Sequence, residues 1–313
     1  FLNMLQLIGW TSIMIYDAML AVQELAPLSP MIWTIAIGAL VILWLFIGLH
    51  NTGYIQAIVS VLLLGLTLYM GAHMISQWPN EGSLLTSGNM SFIAALELSI
   101  AMPLSWLPLI SDYTRESKKP FSASLTSATV YTITSIVMYT LGLSAAIFGG
   151  GDSIITIMMN AGLGLAGLIV IIFSTVTTTF MDAYSAGVSS TTIYNGASSK
   201  GIAVIVTIVG TIAAILYPMD DITDFLYLIG SVFAPMIAIL LADYFINHQQ
   251  VQTVSAYLVR GLIWAVSVGL YHYMLHSEST IGATLPTFTI AFVVTAIVGF
   301  ISKTAHTSAE TKQ

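Results

Sequence analysis

Ser174, Thr175, Thr177, Thr178, Thr179 and Asp182 crowd oxygen-bearing side chains into about two and a half helical turns. They belong to FSTVTTTFMDAYSAG (173–187), which directly follows LGLAGLIVII (163–172), a run apolar enough for the middle of a membrane-spanning helix. Ser174, Thr178 and Asp182 recur every four residues, so they share one helix face. An ionisable group near the bilayer centre costs about 2.5–3.5 kcal/mol on insertion scales and therefore turns to a bundle interior or an aqueous cavity. Such a stripe reads as the wall of a polar cavity. The competing reading is hydrogen bonding between packed helices, which Ser and Thr commonly provide. Five hydroxyls together with an Asp favour the cavity.

Two further stretches offer chemistry. In LNMLQLIGWTSIMIYDAML, Gln6 and Trp10 lie four apart on one face, with Asp17 seven further on. Gln6 supplies a donor and an acceptor, and Trp10 a flat stacking surface, a pair suited to a planar heteroaromatic ligand. Packing or an interfacial belt is the ordinary use of a membrane Trp. In SFIAALELSIAMPLSWLPLISDYTRESKK (91–119), Pro103 and Pro108 each remove a backbone donor. The sequence predicts a broken helix whose freed carbonyls line a cavity or are buried in protein, a trait of secondary transporters. Glu97 reads either as a gating or proton-relay group or as a buried hydrogen-bonded one. Asp17 is expected to be solvated or paired, and Asp243 to pair with a nearby base. His272 and His276 have a spacing that could hold a metal, but no third ligand accompanies them. No HExxH, GxSxG or GK[ST] motif is present, so no covalent or hydrolytic chemistry is announced and the chain does not read as an enzyme.

These residues must sit in a membrane. Of 313 residues, 57% are hydrophobic and 7% charged, with a mean hydropathy of +0.92; soluble chains carry about 25% charge. No Cys is present, and seven Lys and Arg against fourteen Asp and Glu are too few to follow a nucleic-acid backbone. Ten spans are expected, at about 2–22, 31–49, 54–75, 91–110, 122–148, 161–186, 201–217, 225–246, 254–275 and 284–302. Turn chemistry separates them at Pro27 and Pro30, His50–Gly53, Trp78–Gly82, Gly149–Gly151, Ser198–Gly201 and Pro218. Arg115, Lys118, Lys119, Lys200, Lys303 and Lys312 all follow even-numbered spans. The positive-inside tendency makes loops 111–121 and 197–201 and the C-terminus cytoplasmic. The opposite loops hold Glu24, Glu81, Asp152, Asp220, Asp221, Asp224 and Glu278. Arg260, a turn inside the ninth span, can snorkel to the cytoplasmic face. Phe1 stands in an apolar run, which predicts that the chain begins inside a helix and lacks an N-terminal part.

QLIGW (6–10), the stretch from Pro103 to Arg115 ending ISDYTR, the hydroxyl-rich stretch from Ser174 to Gly187, and FAPMIAILLADYFI (233–246) together resemble the nucleobase:cation symporters. These are the cytosine, allantoin and hydantoin permeases; the branch the chain most resembles is that of the hydroxymethylpyrimidine or cytosine permeases. The resemblance runs over nearly the whole chain. It implies an all-α polytopic membrane protein with the inverted-repeat (5+5) transporter fold. About ten helices would be present, the family's third to twelfth, in a single transmembrane transporter domain (1–313) lacking the first two helices.

The resemblance further implies a substrate site from Gln6 and Trp10, from Met102, Ser105 and Trp106 on the broken helix, and from Thr179 and Asp182. Trp10 would stack on the base. The second aromatic of the family aligns with Pro103 here, and Trp106 is the nearest candidate to replace it. The amide of many members is absent, which leaves Thr179 or Asp182 to accept from an exocyclic amine and a ring N–H. Ser174, Thr177 and Thr178 would bind Na+ as a coupling ion if the transporter is sodium-coupled, a proton being the other option. The expected function is secondary-active symport of a pyrimidine-type base or hydroxymethylpyrimidine across the inner (plasma) membrane. The alternatives are a permease for a purine, allantoin or an amino acid, or an intramembrane enzyme. The implied partners are a nucleobase-like small molecule and the lipid bilayer, with no nucleic acid and no obligate protein partner.

Overall fold

A computed structural model of the chain describes residues 1–26, 28–47, 49–76, 90–114, 117–148, 158–159, 162–194, 196, 198–217, 219, 222–248, 253–277 and 281–310. The connections expected at Pro27, Trp78–Gly82, Gly149–Gly151 and Pro218 lie outside those residues. So do Glu81, Arg115, Asp152, Asp220, Asp221, Glu278, Lys312 and the Lys303 side chain.

The described residues form helices and no strand: α1 (Leu2–Leu25), α2 (Pro30–Ile47), α3 (Leu49–Ser76), α4 (Phe92–Thr114), α5 (Pro120–Phe148), α6 (Gly164–Ile193), α7 (Ser199–Leu216), α8 (Ile222–Leu241), α9 (Val254–His276) and α10 (Thr284–Glu310). A π-helical turn, Ala242–Asn247, extends α8. All ten are long and apolar enough to cross a membrane, and each overlaps one expected span. Lipid leaves backbone groups without partners, so a chain of such runs satisfies them inside helices.

Local chemistry sets the ends. Pro30 and Pro120 open α2 and α5, where a missing N–H costs nothing. The Ser198 hydroxyl accepts from Gly201 N (3.1 Å) at the start of α7, and Thr253 accepts from Ala256 N (3.4 Å) at the start of α9. Two expectations change. His50–Gly53 is the first turn of α3 rather than a connection, because the donors of a first turn need no partner within the helix and tolerate a weak helix former there. The fourth span is not broken: α4 runs through both Pro103 and Pro108. Proline's φ is itself helical, so each deletes a rung of the ladder without ending the helix.

By contacts the chain divides into two units. The first holds Phe1–Ser87 and Leu109–Ile222, and thus α1–α3, the end of α4 and α5–α7. Its centre is α1, packed on α2, α6 and α7. Ile15, Ala18 and Met19 of α1 meet Ile37 of α2 and Ala214 of α7. Further along, Ala21 and Val22 meet Met70, Met158 and Leu168. The second unit holds Gly88–Pro108 and Thr223–Gln313. There Ala238 and Ile239 of α8 meet Ala291 of α10, with Ile263 and Trp264 of α9 alongside, and the Trp264 indole donates to Val232 O (2.9 Å).

Candidate functional site

In the first unit, Gln6 and Trp10 are both buried on α1. Gln6 Nε2 donates to Asn3 Oδ1 (2.8 Å), and Asn3 Nδ2 donates to Ser189 Oγ on α6 (2.8 Å). A chain of amides therefore ties the start of α1 to the last turns of α6. Two residues beyond Trp10, Ser12 Oγ donates to Gly210 O on α7 (3.1 Å). That bond needs a close approach of the two backbones. A Cβ on Gly210 would stand 2.7 Å from Thr11 Cγ2. Small residues let membrane helices come this near.

On α6, two hydroxyls of the predicted ion site turn back onto the helix itself. Thr177 Oγ1 (3.0 Å) and Thr178 Oγ1 (2.9 Å) both donate to the Ser174 carbonyl. Each hydroxyl spends its hydrogen on the backbone, which leaves oxygen lone pairs for a cation. Thr177 is buried and Thr178 exposed on the chain's surface. Three oxygens suit a hard monovalent ion in kind, and further ligands would have to complete the set. One position on, Thr179 is fully buried and donates to Thr175 O (2.7 Å).

Asp182 differs from all of these. It is half-buried on α6, and among the described residues no hydrogen bond or ion pair reaches its carboxylate. A carboxylate is an acceptor only, with about four lone-pair sites. Asp182 therefore keeps the largest uncommitted accepting capacity on the helix. It could receive an amine and a ring N–H side by side, or a proton.

Met102, Ser105 and Trp106 lie on the part of α4 that belongs to the second unit. Ser105 is buried and its hydroxyl donates to Met102 O (2.6 Å); Met102 and Trp106 are half-buried.

The remaining ionisable groups resolve as follows. Asp17 is exposed. Asp243 pairs with Arg260 through two bonds, Nη2 to Oδ1 (2.9 Å) and Nε to Oδ2 (3.1 Å), so Arg260 is the nearby base expected for Asp243. Asn247 Nδ2 adds a third bond to Asp243 Oδ1 (2.8 Å). Glu97 is buried, and its Oε1 accepts from Ala283 N and from Thr284 N (2.6 Å). Of the two readings the sequence left open for Glu97, the hydrogen-bonded one describes this arrangement. The His276 ring meets the His272 carbonyl through Nδ1 (2.7 Å).

A family described as permeases for cytosine/purines, uracil, thiamine and allantoin matches residues 2–310. The chain belongs to this permease family. It is a family of transporters, not of enzymes. Among curated relatives, the cytosine permease of Escherichia coli K12 is 25% identical over 185 residues, which is 58% of this chain and 44% of the relative. The cytosine permease of Escherichia coli O157:H7 matches to the same extent. The chain thus spans less than half the length of the curated relatives it matches. Among solved structures, Mhp1 is a nucleobase-cation-symport-1 family transporter, solved in a closed conformation with bromovinylhydantoin bound. It superposes with a TM-score of 0.71 at 15% identity, over 95% of this chain and 73% of Mhp1. The permease-family chain therefore has the Mhp1 fold.

Several contributors escaped the sequence reading. Asn3 stands three residues before Gln6 on one face, a spacing that could have flagged the pair. Its partner Ser189, the Ser12–Gly210 bond and the Glu97 contact join residues at least 186 apart, and helical periodicity carries no signal for those.

Proposed function

We propose that this chain acts in secondary-active symport of a small pyrimidine-type base, cytosine or hydroxymethylpyrimidine, into the cell. The observation that carries the reading is the Asp182 carboxylate: half-buried on a helix of spanning length, it has no partner among the described residues. An uncommitted carboxylate at that depth costs stability and calls for a functional reason. Family membership supplies the class of reason. In this reading Asp182 accepts the amine and ring N–H of the base, Thr179 and Gln6 flank it, and Trp10 stacks on it. Met102, Ser105 and Trp106 of α4 are further candidate contacts. The oxygens of Ser174, Thr177 and Thr178 contribute to a sodium site. Base and ion favour the same state and so strengthen each other's binding reciprocally. The protein is placed in the inner membrane with loops 111–121 and 197–201 and the C-terminus in the cytoplasm.

Uptake of labelled cytosine and of labelled hydroxymethylpyrimidine, with and without sodium, tests this. Saturable, sodium-dependent uptake is expected, and Asp182→Ala should abolish it. Unchanged uptake in that variant would remove Asp182 from the site. Uptake without sodium that follows an imposed proton gradient would overturn the ion assignment. The family's span over purines, uracil and allantoin keeps a second reading, a permease for one of those. Competition by unlabelled adenine, uracil and allantoin separates the two.

A further inference from the structure

The second unit carries a buried carboxylate that the symport reading does not use. Glu97 lies on α4, and one of its oxygens takes the backbone N–H groups of Ala283 and Thr284 at the start of α10. Those N–H groups are among the four that a helix start leaves without internal partners. A distant side chain, 187 residues away for Thr284, thus caps α10 in place of a local Ser or Asp. The backbone is shaped for this contact. Gly282 has φ +77°, and a Cβ there would stand 2.6 Å from Glu97 Oε1 and 3.0 Å from Ile93 Cγ2. The node extends to α9, where Tyr271 and Thr284 share a hydroxyl contact of 3.3 Å.

The same stretch of α4 is internally weakened. Pro103 removes the rung that its N–H would make to Ser99 O, in the stretch after Glu97 that carries the candidate contacts. A segment missing a rung holds its rotation and depth poorly unless something outside it supplies an anchor. Glu97 supplies one, five residues before Met102 and nine before Trp106, or about 8–13 Å along the axis. We propose that Glu97 is a positioning residue: its bond to the α10 start sets the rotation and depth of residues 92–108, and with them Met102, Ser105 and Trp106. This rests on reading those three as base contacts. Glu97 itself touches no substrate.

The absence of cysteine makes a test independent of transport available. Met102→Cys is introduced into the full chain in membranes and its rate of modification by a small methanethiosulfonate is followed. Ser76→Cys, exposed at the end of α3, serves as control. Glu97→Ala should change the rate at position 102 by about tenfold or more, the population change produced by losing one hydrogen bond to a charged group. Glu97→Gln keeps an acceptor oxygen at the same reach and should restore the parent rate; the Ser76→Cys rate should not move in either. Equal rates at position 102 in parent and Glu97→Ala overturn the proposal, as does a Glu97→Gln variant that behaves like Glu97→Ala. In cytosine uptake, Glu97→Ala should raise the half-saturation concentration more than it lowers the maximal rate, and Glu97→Gln should do neither. If the parent takes up neither cytosine nor hydroxymethylpyrimidine, the substrate reading fails while the labelling result still decides the anchor.

Discussion

The two units hold their helices together by different chemistry. In the first, α1, α6 and α7 meet through neutral groups: the Asn3–Ser189 bond, the Ser12–Gly210 bond and the close approach of Gly210 to Thr11. In the second, buried carboxylates make the joints. Glu97 caps α10 at one, and Asp243 gathers Arg260 of α9 and Asn247 at another, where Asn247 also reaches Thr295 O of α10 (3.2 Å). Neutral bonds between membrane helices contribute about 0.6 kcal/mol on average. A charge-assisted joint is stronger but leaves a buried charge exposed to loss of its partner. Against this background Asp182 stands out: it is a half-buried carboxylate in the unit whose helix joints are neutral, and no hydrogen bond or ion pair reaches it among the described residues.

The comparison can be broken first at its strongest joint. Asp243→Ala leaves Arg260 without its carboxylate in a site where both side chains are 12% exposed. Breaking a buried pair from one side costs about 3–5 kcal/mol. A large drop in the thermal midpoint of detergent-solubilised protein is expected, and the double change Asp243→Leu with Arg260→Met should recover most of it. A small drop would mean that the second unit does not depend on charge.

A middle-sized effect belongs to the neutral unit. Gly210→Ala places a Cβ 2.7 Å from Thr11 Cγ2 and 3.3 Å from Ser12 N. Overpacking of this kind costs about 1–3 kcal/mol, and adding Thr11→Ala should return part of it in the same melting assay. If Gly210→Ala is silent, backbone proximity is not what joins α1 to α7.

The sequence carried the ten helices because each is long, apolar and bounded by breakers. It also carried the crowding on α6, since spacing by three and four is a local property. What stayed hidden was long-range. Glu97 is one acidic residue in an apolar run, and nothing nearby in the chain says that it caps a helix 186 residues away; Asp243, with Arg260 only 17 residues on, was legible as half of an ion pair. The prolines of α4 misled for the opposite reason. They are strong local signals, yet deleting one rung at each is too small a loss to end a helix.

The smallest stability effect is the most telling one. Asp182→Asn keeps the shape of the side chain and removes a carboxyl group that has no partner among the described residues. If the carboxylate is retained for a ligand, its removal should change the stability by no more than about 0.5 kcal/mol, the usual span for a change that breaks no named interaction, or raise it. Groups kept for activity often cost the fold something, so a rise is the natural direction. Uptake should fall sharply in the same variant, because an amide presents one acceptor and one donor where the base offers two donors. Stability held with uptake lost would set Asp182 apart from Glu97 and Asp243 as the carboxylate that works on a guest. A loss of several kcal/mol would make it a third joint, and the division of labour between the two units would vanish.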